Sequence, residues 1–208
     1  MDLLKKTNIS AVENSELFSP LLLDGELEDL NDKFRGFVVY KSTIELDEKH
    51  FAYWHELTTK RRDRRGEVAL VIENEKNQVL LHTKDHYPAR AFRIPTGGIN
   101  FYEKVIDALH RETFEETGFR PVSYKLLALL LYEFEYLGQK IPFISFIFHV
   151  VPDGVTPQVQ DENEKISEFR WIDRRELGKI AQQLRNLPDA WKEWGVMRAI
   201  PHELVPDL

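Results

Sequence analysis

The chain has 208 residues, 35 Asp and Glu against 28 Lys and Arg for a net charge of −7, 42% hydrophobic residues and no cysteine. That length and apolar content support a packed core, the missing cysteines exclude disulfides and thiol chemistry, and the acidic balance argues against binding polymeric nucleic acid through a broad basic surface. The start, MDLLKKTNISAVENSELF, holds no signal-type apolar run, and the longest apolar run, residues 126–132, is far short of a membrane span, so the expectation is a cytoplasmic protein with no membrane partner.

In chain order, residues 1–62 read as an N-terminal extension. An irregular start to Leu23 and an acidic stretch from Asp24 to Asp32 precede two expected strands, Gly36–Tyr40 and Thr43–Leu46. Phe51, Tyr53 and Trp54 are assigned to core packing, and the basic run Lys60–Arg65 to a charged connector. Glu67–Glu73 has the pattern of a strand, with a turn at Asn74–Asn77 and Gln78–Thr83 as its expected hairpin partner. Lys84–Arg90, with Pro88, reads as a loop and Ala91–Ile94 as a short strand. His82, His86, Arg90 and Arg93 cluster here; Arg90, Arg93 and His86 are taken as candidate contacts to an anionic substrate.

Pro95-Thr96-Gly97-Gly98 is a turn whose backbone can approach a ligand closely, because glycine has no Cβ. Residues Glu103–Thr117 hold no Gly or Pro and space their apolar residues by three and four, which predicts a helix; Gly118 is its stop. On that helix Glu112, Glu115 and Glu116 fall within an arc of roughly 100°. Val105 and Ala108 share their sector, and Leu109, Thr113 and Ile106 form the adjoining apolar face. Three acids at the edge of a buried stripe repel one another and are poorly hydrated, so a divalent cation suits them better than water. Arg111 can fork onto the neighbouring carboxylates and hold their rotamers.

Tyr124–Tyr136 alternates as a strand, and Tyr136 near its end offers a ring on which a base can stack. A turn at Leu137–Lys140 leads to a second strand, Ile141–Val151. An acidic loop with Glu162 and Glu164 follows, then a strand, Glu168–Asp173, entering a helix capped by Asp173. The tail, Pro188–Leu208, reads as an amphipathic helix with an extended end that packs on the domain.

Gly97, five residues, Glu103, seven residues, then Arg111-Glu112-Thr113-Phe114-Glu115-Glu116-Thr117-Gly118-Phe119 resembles the Nudix box, G-x5-E-x7-R-E-U-x-E-E-x-G-U, where U is bulky and apolar. Thr113 departs from the first U, and Asn100 and Tyr102 stand where many members carry an acid and a glycine. The resemblance implies an α+β fold, the Nudix α/β/α sandwich with a mixed central sheet. The hydrolase domain would span residues 63–208, with a C-terminal helix. In members similar to ADP-ribose pyrophosphatases, a segment like residues 1–62 helps form a homodimer. The resemblance also implies Mg2+ or Mn2+ held by Glu112, Glu115, Glu116 and the Gly97 carbonyl, with Arg111 orienting the glutamates and Glu103 stabilising the loop-to-helix junction. Glu164 lies in the loop that supplies a catalytic base or further metal ligand in some families. The implied reaction is hydrolysis of a nucleoside diphosphate linked to another moiety, ADP-ribose or a sugar nucleotide first. Dinucleoside polyphosphates, suggested by Tyr136, are one alternative, and a non-catalytic nucleotide sensor is another.

Overall fold

The structure, a computed structural model, describes residues 4–208; the first three residues of the expected irregular start lie outside the described residues. In chain order the elements are β1 (Leu4–Thr7), α1 (Ile9–Glu13), α2 (Glu26–Lys33), β2 (Val38–Glu45), α3 (Glu48–His55), β3 (Gly66–Ile72), β4 (Gln78–Lys84) and β5 (Thr96–Ile99). They continue as α4 (Val105–Thr117), β6 (Pro121–Tyr136), β7 (Gln139–Pro152), β8 (Ile166–Asp173), α5 (Leu177–Arg185) and α6 (Lys192–Leu204). Among the described residues the strands form a six-stranded sheet, in the order β1-β2-β6-β7-β3-β5, and a two-stranded sheet of β4 and β8. The larger sheet is mixed: β1 runs antiparallel to β2, whereas β2 runs parallel to β6, with Val38 opposite Ala128 and Glu45 opposite Glu135. The fold class is therefore α+β. No helix among the described residues is long and apolar enough to cross a membrane.

The residues gather into two compact units, one of residues 1–68, 97–108 and 126–147, the other of residues 69–96, 109–125 and 148–208. In the first, β6 is flanked by β2 and β7 and is buried on both faces from Leu126 to Phe134, which is why its sequence there is nearly continuously apolar. Glu133 is the exception. It is 5% exposed, and Lys41 at 2.6 Å and Lys140 at 3.0 Å neutralise it. Leu137 and Gly138, both at positive φ, make the tight turn into β7. The rings of α3 serve the core of this unit: Trp54 lies 4.6 Å from Phe134 and 4.9 Å from Phe143, while Tyr53 faces solvent.

Several elements differ from the sequence expectation. Most of the acidic stretch from Asp24 forms α2, with Glu26, Glu28 and Asp29 in the first turn where they complement the helix dipole. The two short strands after Gly36 are one strand, β2. Gln78–Thr83 is a strand but not the hairpin partner of β3, because both edges of β3 are taken, by β7 and β5. A single bridge, Glu73 to Val79, survives from the expected hairpin, and β4 pairs with β8 instead. Ala91–Ile94 is not a strand; only Arg93 bridges His82, through reciprocal backbone bonds of 2.9 and 3.0 Å. Asp173 caps a 3-10 turn, Arg174–Glu176, that leads into α5. The tail stays helical to Leu204 and ends in another 3-10 turn instead of an extended end.

In the second unit α5 and α6 pack closely, with Arg185 forked onto Glu203. A Cβ built on Gly195 of α6 would lie 2.1 Å from the Leu184 carbonyl oxygen, whereas one on Gly178 of α5 would meet nothing within 4 Å. Gly195→Ala is therefore expected to lower stability by about 1–3 kcal/mol by overpacking. Gly178→Ala is expected to be neutral or to stabilise by about 0.5–1 kcal/mol through helix propensity. Urea unfolding of both variants checks the pair; equal midpoints would disprove the tight α5–α6 approach.

Candidate functional site

Helix α4 carries the acids. Its stop is Gly118, at φ +74°, whose N–H bonds to the Phe114 carbonyl at 2.7 Å and whose missing Cβ leaves room for the Gln158 carbonyl. The last carbonyls of a helix lack partners within it, and here the following acidic loop supplies them: the N–H of Gln158 bonds to Thr117 O at 2.8 Å and that of Gln160 to Glu115 O at 2.9 Å. The same tether brings Glu164 to the acids of α4. Thr113 is fully buried, and its hydroxyl donates to Leu109 O at 2.6 Å, so the polar group at this apolar position is satisfied.

Arg111 Nη1 bonds to Glu112 at 2.7 Å and to Glu115 at 2.9 Å. Glu116 lies behind them, wholly buried, and neither of its carboxylate oxygens has a hydrogen-bond partner. Lys84 is a close cation, its Nζ 3.3 Å from Glu116 and 2.5 Å from Glu164. Lys84 is placed by the β4–β8 pairing, which sets it opposite Ile166, two residues beyond Glu164, across a register shift in β4. No sequence signal marked it; its role depends on a strand pairing between residues about 80 positions apart.

Burial raises the pKa of Glu116 to about 8, against the pull of Lys84 and Arg93 and with the push of Glu164 and Glu112. Glu112 is raised too, first by burial, offset by Arg111 and reinforced by Glu164 and Glu115. Glu112 and Glu116 are buried and Glu115 and Glu164 half-buried, and as oxygen donors with mutually unfavourable charge they have the chemistry a hard divalent cation takes.

The remaining candidates fall in both units. Gly97 is buried in β5, in the first unit. Glu103 accepts the Asn100 N–H at 3.0 Å, closing the loop before α4. Arg93, expected to contact substrate, is buried, and its donors bond to Tyr87 Oη at 2.8 Å, Ile94 O at 2.9 Å and Thr96 Oγ1 at 3.0 Å. His86 is exposed beside Asp85, and Arg90 is exposed at φ +66°. Tyr136 is half-buried in the first unit, its ring 5.8 Å from Phe51. His82 and His202 are buried and held neutral by desolvation, His202 at a pKa of about 3 while its Nε2 accepts the Ile94 N–H.

The fold and site define a mixed-sheet α+β protein with buried carboxylates gathered on one helix. The particular family follows from comparison: the NUDIX domain model matches residues 63–194, and the chain belongs to that family. It is similar to the RNA pyrophosphohydrolase of Pasteurella multocida, 38% identical over 124 residues, which are 52% of this chain and 61% of that protein. It is also similar to that of Baumannia cicadellinicola, 40% identical over 78 residues, 38% of this chain and 46% of that protein. The matches thus span about half to three-fifths of these relatives. Among solved structures, a MutT NUDIX hydrolase from Burkholderia pseudomallei matches with 18% identity and a TM-score of 0.45, over 66% of this chain and 94% of that one.

The raised Glu116 has a consequence for stability. Below pH about 4.5 the group is protonated whether the chain is folded or not; between 4.5 and about 8 the native state holds a proton that the unfolded state has released. In chelator, stability is therefore expected to fall by several kcal/mol as pH rises through that window, at about 1.4 kcal/mol per pKa unit, with the slope reduced in Glu116→Gln. Thermal melts from pH 4.5 to 8.5, with and without Mg2+, check this. A slope equal in wild type and variant would disprove the burial of Glu116.

Proposed function

We propose that the chain is a divalent-metal-dependent pyrophosphohydrolase that cleaves a phosphoric anhydride in a nucleotide. The observation that carries this reading is the set Glu112, Glu115, Glu116 and Glu164: buried or half-buried oxygen donors held by Arg111 and Lys84, with the Glu116 oxygens unspent. Glu112, Glu115 and Glu116 would hold Mg2+ or Mn2+. When bound, such an ion supplies Lewis-acid polarisation of the phosphate and a more acidic water.

The chain's own residues do the rest. Arg111 fixes the rotamers of Glu112 and Glu115, so these carboxylates need not reorganise to receive a cation. Glu164, less buried than Glu116, is assigned the proton of the attacking water in this reading. As that water's oxygen bonds to phosphorus, the anhydride P–O bond breaks and the remaining nucleoside phosphate leaves. Lys84 offsets the charge of Glu164 and Glu116.

The sequence resemblance puts ADP-ribose first, but the similar proteins are named RNA pyrophosphohydrolases. That name favours a polyphosphorylated 5′ end over ADP-ribose, with dinucleoside polyphosphates next, since they share its anhydride chain. An RNA end does not need a broad basic surface, and the net charge of −7 stays compatible with it. The division into an extension, residues 1–62, and a hydrolase domain, residues 63–208, belongs to this reading.

Turnover of 5′-triphosphorylated RNA, diadenosine polyphosphates, ADP-ribose and sugar nucleotides, with Mg2+ or Mn2+ and with chelator, tests it. Chelator-sensitive release of phosphate or pyrophosphate is expected, fastest from RNA. Glu115→Gln is expected to lower kcat by about 100-fold or more, with the melting temperature little changed. Wild-type turnover by that variant at saturating Mg2+ would sink the assignment.

A further inference from the structure

The first unit contains a buried ion pair that the proposed chemistry does not use. Arg65 is 2% and Glu26 9% exposed, and they meet in a two-point fork, Nη1 to Oε2 at 2.8 Å and Nη2 to Oε1 at 2.7 Å. Arg65 also donates to Leu21 O at 2.8 Å and Glu103 O at 2.7 Å. Glu26 accepts the N–H of Leu23 at 3.3 Å and, through Oε1, the N–H of Val105 at 3.2 Å. Val105 is the first residue of α4.

A helix begins with N–H groups that have no partner within it and with a partial positive charge. A local side chain usually serves them. Glu103 Oε2 accepts the Asn100 N–H, and the carboxylate at Val105 comes from 79 positions earlier in the chain, outside residues 63–194 of the family match. Arg65 holds that carboxylate and the Glu103 carbonyl together. The helix then runs unbroken to Thr117, so Glu112 lies about two turns beyond the clamped end.

We propose that Glu26, held by Arg65, is a positioning group for the metal-bearing helix: the N-terminal segment caps α4 and thereby sets the placement of its carboxylates. This rests on the metal-dependent reading above. A buried ion pair is by itself weak evidence of stabilisation, since well-packed apolar replacements often restore stability. What apolar side chains cannot restore is an acceptor for the Val105 N–H. The double variant Glu26→Leu/Arg65→Met separates the two roles.

Three readouts on the full chain decide it: urea unfolding, hydrogen exchange of the peptide spanning residues 104–108, and binding of Mn2+ alone followed by its paramagnetic resonance signal. The double variant is expected to recover much of the stability lost in Glu26→Ala. Its exchange at 104–108 is expected to be faster and its Mn2+ affinity weaker, each by about fivefold or more, the size of a lost cap. Mn2+ affinity and exchange equal to wild type would overturn the proposal and leave the pair a packing feature. If the double variant does not fold, Arg65→Lys, which keeps the charge but loses the fork, is expected to show the same two changes, and wild-type values there would overturn it equally. Wild-type protein that binds no Mn2+ would instead refute the metal-dependent reading, while the exchange at 104–108 would still test the clamp.

Discussion

The structure turns on the burial of mutually repelling carboxylates at the end of one helix. Glu116 is withdrawn from water with both oxygens unpartnered, and Glu112 is nearly as dry. Leaving buried charge without compensation costs several kcal/mol per ion, so the surroundings supply partial compensation: Arg111 from the helix itself, Lys84 from β4 and Arg93 from behind. The compensation is incomplete, as the raised pKa of Glu116 records. Complete neutralisation would remove the affinity for a cation, and none would leave the helix end unstable.

Strand pairing delivers the cation from β4. Because β3 uses both its edges within the larger sheet, β4 is left to pair with β8, and Lys84 arrives opposite Ile166, close to Glu164. The loop that carries Glu164 is at the same time tied to the carbonyls of α4 at Glu115 and Thr117. One set of backbone bonds thus satisfies a helix end and gathers the acids. Arg93 contributes through its field, its donors being spent on Tyr87, Ile94 and Thr96.

The other end of α4 is handled by different chemistry. There the partial charge is positive, and a carboxylate from the N-terminal segment meets it, itself neutralised by Arg65. An acid at the start and buried acids near the finish make the helix electrostatically asymmetric: favourable at its beginning and unfavourable at its end. The unfavourable end is the one with reason to recruit a cation.

The sequence by itself determined what depends on near neighbours. The span of α4, the left-handed stop at Gly118, the shared face of Glu112, Glu115 and Glu116, and the reach of Arg111 to Glu112 and Glu115 follow from a period of 3.6 residues and from short side-chain lengths. Most strands were legible for the same reason, their alternation being local. What only the tertiary structure decided were partners far apart in the chain: β8 instead of β3 beside β4, Lys84 between Glu116 and Glu164, the internal use of Arg93, and Glu26 at the start of α4. A strand has two edges and a charged side chain a few angstroms of reach, and which partner fills either is settled by competition among distant segments, of which the local pattern carries no record.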